Sequence, residues 1–118
     1  MSKIICAPRL VKLITFNFAR AITLYPFILL RYKDDQADRL LINHEKIHIQ
    51  QQLELLVLPF YICYLLEYTA GRMRGKTHLQ AYLDIRFEQE AFKNEHNLRY
   101  LSTRPRFAFT KYGSKTHR

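Results

Sequence analysis

Apolar positions change rhythm several times along this chain. Between residues 10 and 31, Ile, Thr, Phe and Leu dominate, types that favour extended backbone. Pro26 lies inside the apolar stretch Ala21–Leu30, so a strand there has to be an edge strand or break at the proline. The pattern predicts one or two short strands in a hairpin-like N-terminal unit, with a helix over residues 9–20 as the competing reading. After the polar connection Lys33–Asp38, residues 39–57 are strong helix formers without glycine or proline. Leu40, Leu41, His44, Ile47, His48 and Leu55 recur there at helical spacing, and Asp38 is a candidate cap for the free amides of the first turn.

Pro59 predicts the end of that helix or a kink in it. Residues 60–68 read as a second, largely buried helical segment closed by Gly71, and residues 72–77 as a basic turn. A third helix is expected over residues 77–100, stopped by Arg104-Pro105, with a short strand at Phe107–Phe109 in the tail. The predicted fold is α+β and helix-dominated, with three main helices and a short N-terminal β element. Residues 1–118 form one domain, with its core at 21–100 and a basic aromatic tail at 104–118.

Composition narrows the classes. Aromatic residues make up 14% of the chain, and only three glycines and four prolines occur, which suits a packed core and excludes a disordered chain. Cys6 and Cys63 are distant and belong to no Cys-x-x-Cys pair, so they read as reduced thiols, Cys63 packed in an apolar run. No signal peptide is evident, and the apolar runs 21–30 and 55–66 fall short of the roughly 18 to 20 residues that span a bilayer. The expected location is cytoplasmic, with peripheral membrane contact compatible with both runs. Nineteen Lys and Arg against ten Asp and Glu leave a net charge of +9. The basic residues are dispersed, so nucleic acid is not the expected partner. In the tail, Arg104, Arg106 and Lys111 interleave with Phe107, Phe109 and Tyr112, a pattern open to RNA or anionic lipid but better read as aromatics docked on the core.

The chemistry sits at residues 43–48, Asn-His-Glu-Lys-Ile-His. Residues four apart on a helix are offset by about 40° and rise about 6 Å, so His44 and His48 can converge on one divalent ion. Glu45 lies beside that face, where its carboxylate reaches a water rather than the metal. A third ligand is expected from Arg86-Phe87-Glu88-Gln89-Glu90-Ala91-Phe92. Ala81, Ile85, Glu88 and Phe92 follow one helical stripe, and an acid on an apolar stripe needs a cation or a metal. Glu90 falls about 200° around the helix from Glu88 and is not expected at the ion. Asp84 and Glu95 are candidates to hold the imidazole rings from behind. His78 and His96 read as polar-face residues. Two imidazoles and a carboxylate suit zinc, one ion per chain, although iron, cobalt or manganese take similar sets.

His44-Glu45-x-x-His48 followed by Glu88-x-x-Ala91 resembles the gluzincin metallopeptidases, most closely the membrane-associated prenyl-protein and heat-shock peptidases and the antibiotic-sensor peptidases. With Ile-Thr-Leu-Tyr-Pro-Phe and Phe-Glu-Gln-Glu-Ala-Phe, residues 21–100 also resemble small bacterial proteins of a minimal type. The resemblance implies Glu88 as third zinc ligand, Glu45 as general base, two helices crossing at the metal, and an edge strand at residues 21–30 that holds an extended peptide. The chain departs from the pattern at Phe92, where the family has Asp, and it is much shorter. Tyr25, Tyr82 and Tyr100 are equal candidates to stabilise an oxyanion. The expected function is zinc-dependent hydrolysis of a peptide or protein substrate. The alternatives are a structural zinc site on the same ligands and a basic membrane-surface or nucleic-acid binding module. Oligomeric state and substrate specificity have no signature in the chain.

Overall fold

A computed structural model describes residues 3–15 and 19–113. The α+β, helix-dominated fold has a three-stranded sheet near its N-terminus, in the order β1-β3-β2. β1 (Lys3–Cys6) runs parallel to β3 (Phe27–Leu30), and β2 (Ala21–Leu24) pairs with β3 antiparallel, Thr23 opposite Ile28. Each of the two readings of the N-terminal region is realised in part, the helix up to Thr15 and the strands from Ala21, while residues 16–18 lie outside the described ones. α1 (Pro8–Thr15) is a helix with proline in its first turn, and the hairpin follows it. Pro26, joined to Tyr25 by a cis peptide, forms the turn between β2 and β3, so the apolar run breaks where the proline required. β1 has no counterpart in the sequence reading.

α2 (Arg39–Leu55) begins where Asp38 accepts a hydrogen bond from the Leu41 amide, 3.1 Å, as its cap. It is the central helix. Leu41, Ile42 and Ile49 pack on Ala21, Ile28 and Leu30 of the sheet. The chain then bends by 111° at Leu56 into α3 (Val57–Met73). A second core joins Phe60 of α3 to Ile85, Phe87 and Phe109, with Tyr61, Tyr64 and Tyr68 at its margin. The helix does not stop at Gly71. A Cβ there would lie 3.1 Å from Ala81 Cβ, so the glycine lets the helix that carries Ala81 approach α3, and Gly75, with φ 88°, makes the turn instead.

Three expectations need correction. The segment 60–68 is not largely buried: within α3 only Phe60 and Gly71 are, and Cys63 is exposed on the outer face. The third helix is divided into α4 (His78–Asp84), α5 (Arg86–Asn94) and α6 (Tyr100–Thr103). Thr77 opens α4 with a capping box to Gln80. Ile85 is extended, with ψ 127°, because Glu67 of α3 accepts the Arg86 amide at 2.9 Å and Gln89 donates back to the Asp84 carbonyl at 2.8 Å. These partners end one helix and start the next without glycine or proline. In the tail, residues 108–111 form a 3-10 turn rather than a strand, and Phe109 is buried with its ring 5.0 Å from Phe87. The last five tail residues lie outside the described ones. No single helix among the described residues is long and apolar enough to cross a membrane.

Candidate metal centre

α2 and α5 bring His44, His48 and Glu88 together, all buried, with one ligand-type atom from each within 4.8 Å of the others. The stripe that singled out Glu88 survives the break at Ile85, since the break restarts the helix with Glu88 in its first turn, where backbone amides favour a carboxylate. Glu90 is fully buried but turns away from the histidines.

Each imidazole is held from behind through Nδ1. His44 Nδ1 lies 2.7 Å from a Glu95 carboxylate oxygen, and His48 Nδ1 lies 2.7 Å from Gln51 Oε1. Gln51 cannot be turned round, because its amide nitrogen donates to the Phe87 carbonyl at 3.1 Å and to Glu90 at 2.9 Å. Its oxygen must accept, so His48 donates from Nδ1 and both rings direct Nε2 toward Glu88. Asn43 fixes the end of α5 by donating to the carbonyls of Glu95, 2.8 Å, and Asn97, 3.1 Å. Glu95 thus takes the ring-holding role expected of it. Asp84 does not, since it sits on α4 before the break and pairs with Lys76. His78 meets the Tyr68 hydroxyl at 2.6 Å, and His96 is exposed, so neither joins the centre.

The electrostatics suit a cation. His44 Nε2 is 2.9 Å from Glu88, so this ring has a carboxylate oxygen at each nitrogen, an arrangement that favours the imidazolium form. Burial opposes that charge, but the Glu88 carboxylate overcomes it and raises the His44 pKa. His48 behaves alike: burial lowers it, Glu88 and then Glu45 raise it, and the balance lies at about 9. Burial would raise Glu88, yet the two imidazoles hold its carboxyl well below the usual carboxylate range. His48 Nε2 is buried 3.2 Å from Glu88 but is not aligned for a hydrogen bond, so it is left without one. Two Nε2 atoms and a carboxylate converge there, with an orphaned nitrogen among them. The donor set fits a divalent ion, which would replace the imidazolium protons in balancing the acids.

Glu45 is buried next to this set, and the Thr23 hydroxyl of edge strand β2 donates to its Oε1 at 2.6 Å. A cavity of about 360 Å³ adjoins it, lined by His44, Glu45, Ala21, Leu41, Tyr82 and Phe92. Of the three tyrosine candidates, only Tyr82 lines this cavity. Burial, with Glu88 beside it, pushes the Tyr82 phenol far above its ordinary range, so it remains a proton donor. Tyr25 is at the hairpin turn, and Tyr100 donates to Glu90 at 2.7 Å.

Several residues of the site escaped sequence reasoning. Tyr64 donates to Glu88 Oε2 at 2.6 Å, and Gln52 bridges α2 to β2 by donating to the Thr23 carbonyl, 2.8 Å, and accepting the Tyr25 amide, 2.7 Å. Behind Gln51, Glu90 is paired with Arg104, whose Nη1 also reaches Glu54 at 2.8 Å. The one available signal was polar residues, Gln51 and Gln52, following the histidines on the same helix. Comparison with protein-family models, with curated proteins and with solved structures returned no match.

Proposed function

We propose that this chain is a zinc-dependent hydrolase of peptide bonds, with His44, His48 and Glu88 holding the ion and Glu45 as general base. The observation that carries the reading is the place of Glu45. Its buried carboxylate is steadied by Thr23 and lines the same cavity as the ligand His44. A site that only joined two helices has no use for an acid in that position.

A bound zinc ion supplies Lewis acidity, which lowers the pKa of a water and polarises a carbonyl. The chain supplies the proton handling. Glu45 takes a proton from the attacking water and hands it to the departing amine. Thr23 keeps that carboxylate oriented. Edge strand β2 runs beside the cavity, although Gln52 and Tyr61 already occupy the Thr23 carbonyl. A peptide laid there would use the backbone nearer Ala21.

The test compares zinc content and cleavage of a mixed peptide library by wild type, Glu45→Gln and Glu88→Ala. Glu45→Gln should keep about one zinc per chain and lose roughly 10²-fold or more in rate. Glu88→Ala should lose the metal. A second reading, a structural zinc site joining α2 to α5, is favoured by the burial of all three ligands. It gains if wild type binds zinc and cleaves no peptide, or cleaves none faster than Glu45→Gln does.

A further inference from the structure

The outer face of α3 leaves a run of apolar side chains in solvent. Leu58, Ile62, Leu65 and Leu66 stand at i, i+4, i+7 and i+8, one helical stripe, and Met73 extends it. Leu56, Leu58, Leu65, Leu66 and Met73 each keep between 60% and 83% of their surface exposed. Monomers in water rarely carry a contiguous patch of this kind, so something covers it.

The corner that opens the stripe points the same way. Leu56 has φ 72° and ψ 155°, a region that glycine alone occupies without strain. The cost is on the order of 1–3 kcal/mol. The backbone makes the corner into α3, but the leucine side chain adds little to the core, since it is 68% exposed. A bulky apolar residue kept in strained backbone and aimed at solvent is a contact surface.

We propose that this face, from the Leu56 corner to Arg74, docks on an anionic lipid bilayer with α3 lying in the plane of the interface. The charges select the partner. The stripe ends at exposed Arg72 and Arg74. Between Glu54 and Asp84 the only acid is Glu67, which is held by Arg86 at 2.9 Å. A second copy of the chain would bring another +9 and no acid on this face to meet those arginines. An anionic bilayer offers an apolar layer for the leucines and phosphates for the guanidinium groups, the arrangement of interfacial helices. At 17 residues, about 26 Å, α3 suits lying along the surface, whereas crossing it takes about 20 residues. The inference does not depend on the metal centre.

The experiment is flotation of the full chain with phosphatidylcholine vesicles, with and without phosphatidylglycerol. Wild type should float with the anionic vesicles and release as salt rises. Ile62→Ser with Leu66→Ser should weaken binding by about tenfold or more at unchanged melting temperature, both side chains being exposed. Leu56→Gly should weaken it without lowering the melting temperature, since it removes backbone strain. Arg72→Gln and Arg74→Gln should each cost about fivefold. Wild type that binds neither vesicle overturns the proposal, as does equal binding by the serine variant. A dimer abolished by the same serines, in a protein that ignores vesicles, also overturns it and makes the face a self-association surface.

Discussion

His48 and Gln51 lie one turn apart on α2, and the 2.7 Å contact between the imidazole Nδ1 and the amide oxygen determines which nitrogen of His48 is left for a metal. Because Gln51 commits its own nitrogen to Phe87 and Glu90, the amide acts as a fixed acceptor. Gln51→Met keeps the volume and removes the acceptor. Zinc affinity, read by competition with a chromophoric chelator, should fall by about 10- to 100-fold. The visible spectrum of the cobalt-substituted protein should shift as well. Unchanged affinity would mean that His48 is oriented by packing alone.

The acids and imidazoles of the metal-free centre set a pH dependence. The raised His48 pKa contributes stability in full below its unfolded value of 6.5, and that contribution is lost as pH rises through about 9. Glu88 is depressed, so its share is present above 4.5 and is lost as pH falls toward its folded value. Melting temperature in chelator should therefore be highest between about pH 4.5 and 6.5 as far as these groups decide it. With zinc the sign reverses, because the ion competes with protons for both rings. The zinc-induced gain in melting temperature should widen from pH 6.5 to 9, and a gain independent of pH would rule out these ligands.

Arg104 is the most exposed test of the tail. Its side chain keeps only 3% of its surface in water and joins Glu54 of α2 to Glu90 of α5. Arg104→Met leaves the fully buried Glu90 and the partly buried Glu54 without their cation and should cost about 3–5 kcal/mol in urea denaturation. Adding Glu90→Gln should recover part of the loss, whereas additive losses would show the two residues to be uncoupled.

At Gly71, a valine would force α3 and α4 apart, since its Cβ would meet Ala81 Cβ at 3.1 Å and Ala81 Cα at 3.3 Å. Thermal unfolding should register a loss of about 1–3 kcal/mol. Ala81→Gly in the same chain should return some of it. A neutral Gly71→Val would place the two helices farther apart than described.

What could be read from the sequence was what is decided locally. The cap at Asp38, the unbroken helix formers of α2, the turn at Pro26 and the convergence of His44 and His48 follow from spacing along a few turns. Glu88 was legible because a lone acid on an apolar stripe demands a partner. The break at Ile85 was not, since Glu67 imposes it from another helix and neither glycine nor proline marks it. The burial of Glu90 was equally hidden, because its partner Arg104 lies in the tail beyond α6. The apolar run of α3 looked like core for a related reason. Hydrophobicity states that a face seeks cover, and only packing tells whether the fold itself provides it.

The position of Arg104 in the chain also sets an order of events. A polypeptide grows from its N-terminus, so His44 and His48 emerge first, Glu88 later, and Arg104 after all three ligands. Until then Glu90 has no guanidinium to hold it against Gln51, and the rear support of His48 is incomplete. An ion held by these side chains would therefore meet the complete rear support of His48 only in a nascent chain already extended past residue 104.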